Sequence, residues 1–329
     1  MNVNRRDVLV LGVGAFVVAA APLALARRDR LHRRTVPVMG TLAEIAVVHH
    51  EPAAAQAAID AAIAELQAVD RRMTRFTASS DIGRANRRAA GEAVALEPTT
   101  AAVLREALAW AQSSDGAFDP ALGRAIGLWD VGHRTAPPAD RQLRRLAGRR
   151  LYRALDVGAW RGRDAVRFTD GDVEVDLGGI AKGFGVDRAT DALRARSIER
   201  ALVNVGGDLY ALGESERGEP WVIGIQSPDD PTRVLETLTA HDSAVATSGD
   251  YLQYFAYEGR RFHHLLDPDT AAPRRTPVHS VTVVAATCLA ADAAATAVYG
   301  MPPERAARLL AARAPGARIA RTIADSANV

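Results

Sequence analysis

Beyond residue 200 the chain offers one short strand candidate after another. Apolar or β-branched runs at 201–205, 210–212, 221–226, 235–239, 262–266 and 281–285 are separated mostly by turn-forming residues. Neighbours this close in sequence pair by hairpins, because a parallel crossover needs a dozen or more residues, usually a helix. The pattern therefore favours an α+β fold of antiparallel sheets and packed helices over a doubly wound parallel sheet.

The first half supplies most of the helices. Ile59, Ile63, Leu66 and Val69 recur at helical spacing and predict a helix over 53–72. A second is predicted over 99–114, capped by Thr99 or Thr100, with Gly116 beyond its end. An Arg-rich third over 137–148 reads as a solvated face, and a fourth runs over 180–196. Residues 42–48 read as a strand, and 166–168 with 173–176 as a hairpin across 169–172. Helices near 289–299 and 303–312 close the pattern.

Composition removes several classes of function. Basic and acidic residues nearly cancel, 41 against 39, which does not suggest a nucleic-acid footprint. The single cysteine, Cys288, cannot form an internal disulfide, a cysteine-based zinc cluster or an iron–sulfur site. Lys182 is the one lysine among those 41 basic residues.

Residues 1–26 read as an address. Arg5-Arg6 precedes an apolar run from Val8 to Ala21, and Ala24-Leu25-Ala26 offers a small-x-small cleavage site. The arginine pair points to the twin-arginine export route. The run is too short for a confident membrane span, so no stable span is expected after cleavage; an uncleaved N-terminal anchor is the alternative. The expected division is a signal segment, 1–26, followed by one domain, 27–329, in the periplasm.

The densest chemical signal runs from Val175 to Gly185, VDLGGIAKGFG. A strand ends in an acid, two glycines follow and a helix begins with Lys182 in its first turn. Glycines let backbone N–H groups approach an anion, and a helix N-terminus favours negative charge. The segment is neither a Walker A loop nor a G-x-G-x-x-G fingerprint; the plain alternative is a left-handed turn with a surface lysine. Gly206-Gly207 joins two strand candidates. Asp119-Pro120 is a turn, and Phe118 before it could stack on a flat ring. Asp292 and Thr296 stand four apart on an otherwise apolar helix, where a buried acid needs a partner. A hard cation accepting carboxylate and hydroxyl oxygens would be one; a cap or salt bridge would be another. His263 and His264 point to opposite faces if they lie on a strand. Ser248-Gly249-Asp250-Tyr251 could set a hydroxyl near a phosphate or simply form a turn.

Taken in order, Met39-Gly40-Thr41, 73–86, Ala117-Phe118-Asp119-Pro120, 176–187, 204–208, Ser248-Gly249-Asp250-Tyr251, 264–268, 280–284 and 291–296 resemble the ApbE family, the FAD:protein FMN transferases. The similarity covers roughly 36–312. It implies Mg²⁺-dependent splitting of FAD at its pyrophosphate, transfer of the FMN-phosphoryl group to a Thr or Ser hydroxyl of a target flavoprotein, and release of AMP. Met39, Phe76, Ala117, Phe118, Asp119, Asp176, Lys182 and Leu266 match family positions that contact FAD. The carbonyl of Gly179, with Asp292 and Thr296, matches the magnesium ligands. Phe76 stands where tyrosine is frequent, and Ala295 where some members carry a second metal-binding acid. The acceptor hydroxyl needs a base or a metal-lowered barrier; His264 or the Asp250 carboxylate is the candidate base, with Asp292 and Lys182 acting on charge. An FAD pyrophosphatase and a flavin-binding assembly factor without turnover are the competing readings. The twin-arginine address suggests an exported respiratory or electron-transfer flavoprotein as partner.

Overall fold

The structure is a computed structural model that describes residues 8–9, 18–19, 29–230, 232–251 and 253–325. The proposed leader lies outside these residues, apart from two-residue strands Val8–Leu9 and Val18–Ala19. Helices and antiparallel strands mix throughout, the α+β composition that the strand spacing predicts. The chain divides into two compact units. One holds residues up to 70, 182–247 and 283–292; the other holds 71–181, 248–282 and 293 onward.

The first unit is a pair of packed sheets with helices. Arg30–Val38, Thr41–His49, Ala201–Val205, Asp208–Leu212 and Ser243–Gly249 lie side by side in that order, all antiparallel. Trp221–Gln226 and Val234–Ala240 form a second ribbon. Ala46, Val48, Leu202, Leu209, Ala211 and Val245 from the sheet close on Trp221, Ile223 and Ala240 from the ribbon. Thr41–His49 is buried along almost its whole length. The strand therefore has no continuous solvent face. Two hairpin turns use paired left-handed residues, as tight antiparallel connections require. One is Met39-Gly40, at φ +53° and +71°, and the other is Gly206-Gly207, at +59° and +101°. Met39 bears the cost of that conformation for a side chain, and Asp70 accepts its N–H at 3.0 Å. The helix Ala181–Arg194 belongs to this unit from Lys182, and the helix Cys288–Val298 through Asp292.

The second unit carries Asp81–Arg88, Pro98–Ser113, Gly123–Trp129, Asp140–Arg144 and Pro303–Arg313 as helices. Three expectations are corrected here. The helix at 98 is led by Glu97 with Pro98 in its first turn, and Thr100 is buried within it rather than capping it. Proline at that position lacks the N–H that would be orphaned and has its φ preset, so no hydroxyl cap is used. The hairpin expected across 169–172 does not form. Arg163–Phe168 pairs instead with Leu155–Trp160, through Arg161-Gly162 at φ +51° and +74°. The Arg-rich segment is helical only over Asp140–Arg144, and its arginines are not merely solvated. Arg145 and Arg149 hold the buried carboxylate of Asp172, together with Arg124. Trp129, Phe255 and Phe262 stack nearby, and Trp129 Nε1 donates to the carbonyl of Ala271 at 2.8 Å.

Candidate active site

In the first unit three charged side chains meet. Lys182 pairs through Nζ with Asp208, whose side chain is 2% exposed. Asp292, also buried, accepts the N–H of Gly183 on Oδ2 at 2.9 Å. Two helices are stitched together at this point. A Cβ on Gly183 would lie 2.2 Å from the carbonyl oxygen of Cys288 and 2.8 Å from Cβ of Asp292, so only glycine lets the helices approach this closely. In return Asp187 accepts the N–H groups of Cys288 at 2.7 Å and Leu289 at 2.9 Å, capping the second helix from the first.

Burial sets the electrostatics of the cluster. It pushes the Asp292 carboxyl up to about 7, with Lys182 and the Gly183 N–H pulling down and Asp208 pushing the same way as burial. Burial also raises Asp208 against the pull of Lys182. For Lys182 burial alone would favour the neutral amine, but Asp208 and Asp292 outweigh it and raise its pKa. The Cys288 thiol is driven far up by burial and by three nearby carboxylates, which makes it an inert core group. The plain alternative of a surface lysine does not hold: Lys182 is half-buried and tied to an acid 26 residues away.

Apart from Met39, which lies in the first unit, the second unit holds the remaining residues of the predicted site. Neither Gly178 nor Gly179 has a positive φ, so this is no left-handed turn. Gly178 donates to Asp176 Oδ1 at 2.7 Å. A Cβ on Gly179 would sit 3.0 Å from Thr296 Oγ1 and 3.2 Å from the ring of Phe118. The glycine therefore admits a hydroxyl and a ring edge. Phe118 is 3% exposed and forms a wall rather than an open stacking face. Ser248 Oγ lies 3.4 Å from Thr296 Oγ1. Phe76 is 82% exposed, with the Arg75 guanidinium 5.0 Å over its ring. Arg75 also ion-pairs with Asp176 at 3.0 Å and with Glu174 at 2.5 Å. Asp119 accepts the N–H of Ala121 at 2.8 Å, while its Oδ2 is buried with no hydrogen-bond partner. Burial pushes the Asp119 carboxyl up to about 7 against the N–H groups of Ala121 and Tyr152 and the charge of Arg150.

His263 ends the strand Arg260–His263 and His264 lies just beyond it, so the two do not alternate along one strand. His263 is buried; it accepts the Leu265 N–H on Nδ1 at 3.2 Å and meets the Arg274 carbonyl through Nε2 at 3.1 Å. That pattern defines a neutral ring, and burial lowers its pKa. His264 is half-buried, with Nδ1 3.3 Å from the carbonyl of Gln253. Asp250 is held by Arg261 at 3.2 Å and by His279 at 3.0 Å.

Arg274 is the residue that sequence reasoning missed. Its guanidinium donates to the carbonyls of Ala117, Leu266, Thr296 and Tyr299. Three of those four residues are predicted site positions, and the arginine fixes their backbone. The only available signal, an arginine after Ala272-Pro273, is lost among the many other arginines of this chain.

The donor set suits a hard cation. Asp292 supplies a carboxylate and Thr296 a hydroxyl one turn further along the same helix, Cys288–Val298. Gly179 is cradled so closely against that hydroxyl that a Cβ would crowd it. Among the described residues no group of three or more His, Cys, Asp or Glu side chains is placed to hold a metal. One carboxylate helped by neutral oxygens is the arrangement that Mg²⁺ tolerates when a substrate phosphate completes its shell.

The sequence profile of the ApbE family matches residues 39–319. The chain belongs to the ApbE family. Among ApbE relatives, an FAD:protein FMN transferase of Vibrio cholerae is 33% identical over 274 residues, 82% of this chain and 81% of its own length. One of Treponema pallidum is 33% identical over 298 residues, covering 86% and 82%. The ApbE protein of Thermotoga maritima superposes with a TM-score of 0.79 at 28% identity, covering 90% of this chain and 97% of its own. The flavin transferase ApbE of Vibrio cholerae gives a TM-score of 0.76 at 29% identity, covering 91% and 98%. The ApbE profile spans both compact units.

Proposed function

We propose that this chain is an FAD:protein FMN transferase that moves the FMN-phosphoryl group of FAD onto a Thr or Ser hydroxyl of an acceptor protein and releases AMP. One observation carries the chemistry. In a chain whose relatives are flavin transferases, a buried carboxylate, Asp292, keeps a single backbone N–H as hydrogen-bond donor while the nearest cation pairs with another acid.

Asp292, the Thr296 hydroxyl and the Gly179 carbonyl would hold Mg²⁺. When bound, the ion supplies positive charge against the pyrophosphate oxygens as the bridging bond breaks. Phe76 offers an exposed ring for the flavin, steadied by Arg75. Asp176, anchored by Gly178 and Arg75, presents its remaining acceptor capacity to an N–H or O–H of FAD. Arg274 holds the backbone of Ala117 and Leu266 in place.

In the transfer the acceptor hydroxyl oxygen bonds to the phosphorus of the FMN half. The bond from that phosphorus to the bridging oxygen breaks, and AMP leaves with the electron pair. The hydroxyl proton passes to a base. His264 is the base proposed for that part. Its Nδ1 faces a carbonyl and so carries the proton, which makes Nε2 the basic nitrogen. Asp250 is engaged by Arg261 and His279.

The test is incubation of the chain with FAD, Mg²⁺ and a Thr-bearing acceptor, reading AMP and covalent flavin together. Equal AMP and protein-bound FMN is the expected result. Free FMN with an unlabelled acceptor would make the chain a pyrophosphatase, and the absence of AMP would make it a flavin carrier.

Residues 1–26 are proposed to export the folded protein by the twin-arginine route, with an exported flavoprotein as acceptor. Among the described residues no helix is long and apolar enough to cross a membrane. Replacing Arg5 and Arg6 together by Lys should stop periplasmic accumulation; unchanged accumulation would refute the assignment.

A further inference from the structure

We propose that Asp208 protects the cation site by pairing with Lys182, so that Asp292 is left without a cation partner and open to a divalent ion. The inference rests on the reading that Asp292 binds Mg²⁺. It adds a positioning role for an acid outside the expected ligand set.

The cluster contains two carboxylates and one ammonium. Lys182 Nζ is committed to Asp208, and Asp292 has one backbone N–H on Oδ2. Lys182 and Asp208 both act electrostatically on Asp292, with opposite signs. Among the described residues no side-chain cation is hydrogen-bonded to Asp292, which lies beside a helix terminus. A lysine is a point charge on a flexible four-carbon stem and takes whichever acid is available. Without a charge on Asp208, the ammonium would turn to Asp292, and an incoming Mg²⁺ would meet an acid already neutralised and a like charge beside it.

Asp208 is well placed to prevent this. It opens the strand Asp208–Leu212, which is buried at every position. The turn before it is fixed by the N–H of Gly207 donating to Asn204 Oδ1 at 2.9 Å, and by the pairing of Val205 with Asp208. A Cβ on Gly206 would come within 2.7 Å of Thr41 Oγ1, so the turn packs against Thr41 as only a glycine can. The carboxylate is therefore held by rigid backbone, while its partner is the mobile member of the pair.

The experiment is a Mg²⁺ titration by calorimetry, with the metal alone, on the full chain and four variants. FAD affinity is measured in parallel by flavin fluorescence, and thermal melting reports folding. Asp292→Asn should abolish Mg²⁺ binding. Asp208→Asn should weaken it roughly tenfold to a hundredfold, as a nearby like charge would. Asp208→Glu keeps the charge and should bind Mg²⁺ within a few fold of wild type, even if it melts earlier. Asp208→Asn combined with Lys182→Met should regain most of the lost affinity, because the competing ammonium is gone. Unchanged binding in Asp208→Asn would overturn the proposal, as would a double variant no better than Asp208→Asn. So would equal losses in Asp208→Asn and Asp208→Glu that track melting, since that pattern is structural. Wild-type Mg²⁺ affinity in Asp292→Asn would instead overturn the underlying reading of the metal site.

Discussion

Arg274 donates from Nη1 to the carbonyl oxygen of Tyr299 at 2.6 Å, the last residue before the turn at Gly300. The same guanidinium reaches the carbonyls of Ala117, Leu266 and Thr296, so one side chain satisfies four backbone acceptors. Burial lowers its pKa to about 10, which leaves it protonated at neutral pH. Arg274→Met keeps volume but strands those carbonyls. Removing one partner of a buried charged network costs about 3–5 kcal/mol. An unfolding free energy lowered by that amount, read from denaturant titration, is expected. A loss under 1 kcal/mol would mean that solvent reaches the carbonyls.

Replacing Lys182 by Met should destabilise the fold by about 3 kcal/mol, because the buried carboxylate of Asp208 loses its cation. An exposed lysine would change stability by no more than about 0.5 kcal/mol. The melting temperature of the variant separates the two readings, and a second replacement, Asp208→Asn, should recover part of the loss.

Gly183→Ala tests the helix contact. In an ordinary helix interior this change gains up to about 1 kcal/mol from propensity. Here the added methyl would sit 2.2 Å from a backbone oxygen of Cys288, which cannot swing aside. Overpacking of this kind costs about 1–3 kcal/mol or more, so the net effect should be destabilising. Turnover should fall with it, because the helix that carries Asp292 must move. A variant more stable than wild type would show that the helices are loosely joined.

Asp119 makes stability depend on pH. Its carboxyl is raised by burial to about 7 in the folded chain, against about 3.9 when unfolded. The folded state therefore binds the extra proton between those values, and stability is full below about pH 4 and lost as pH rises through about 7. Asp119→Asn removes the titration. Its melting temperature should decline less than that of wild type between pH 5 and pH 8, and parallel curves would refute the assignment.

His279 works in the same direction by a different cause. Burial alone would lower its pKa, but hydrogen bonds to Asp325 at 2.9 Å and Asp250 at 3.0 Å outweigh it and raise the value. Its stabilising contribution is then full below about pH 6.5 and fades as pH rises through the raised value. Under denaturant titration, wild type should lose its advantage over His279→Gln in that range. A constant difference from pH 6 to pH 9 would mean that the imidazole is not charged in the fold.

Local features were legible in the sequence because local physics decides them. Gly206-Gly207 joins its two strands as expected, and the strands 201–205 and 221–226 fall at their predicted positions. The helix bearing Asp292 and Thr296 is buried as its apolar composition implies. The failures arose where two local solutions competed. Val173–Asp176 had strand-like residues, but Arg163–Phe168 had a better partner in Leu155–Trp160, across a turn whose two residues both adopt positive φ. A hairpin is chosen by its turn geometry as well as by its hydrophobic runs.

The sequence by itself determined the fold class, the motif order that places the chain in its family, and the residues proposed to bind flavin and a hard cation. Only the tertiary structure decided how those groups are charged and held. Lys182 could have been a solvated cation until Asp208 was brought against it from 26 positions away. Arg274 gained its meaning from carbonyls as distant in sequence as Ala117. A charge or a donor is fixed by its residue type, but its energy depends on burial and on partners, and those are supplied by chain segments that meet only on folding.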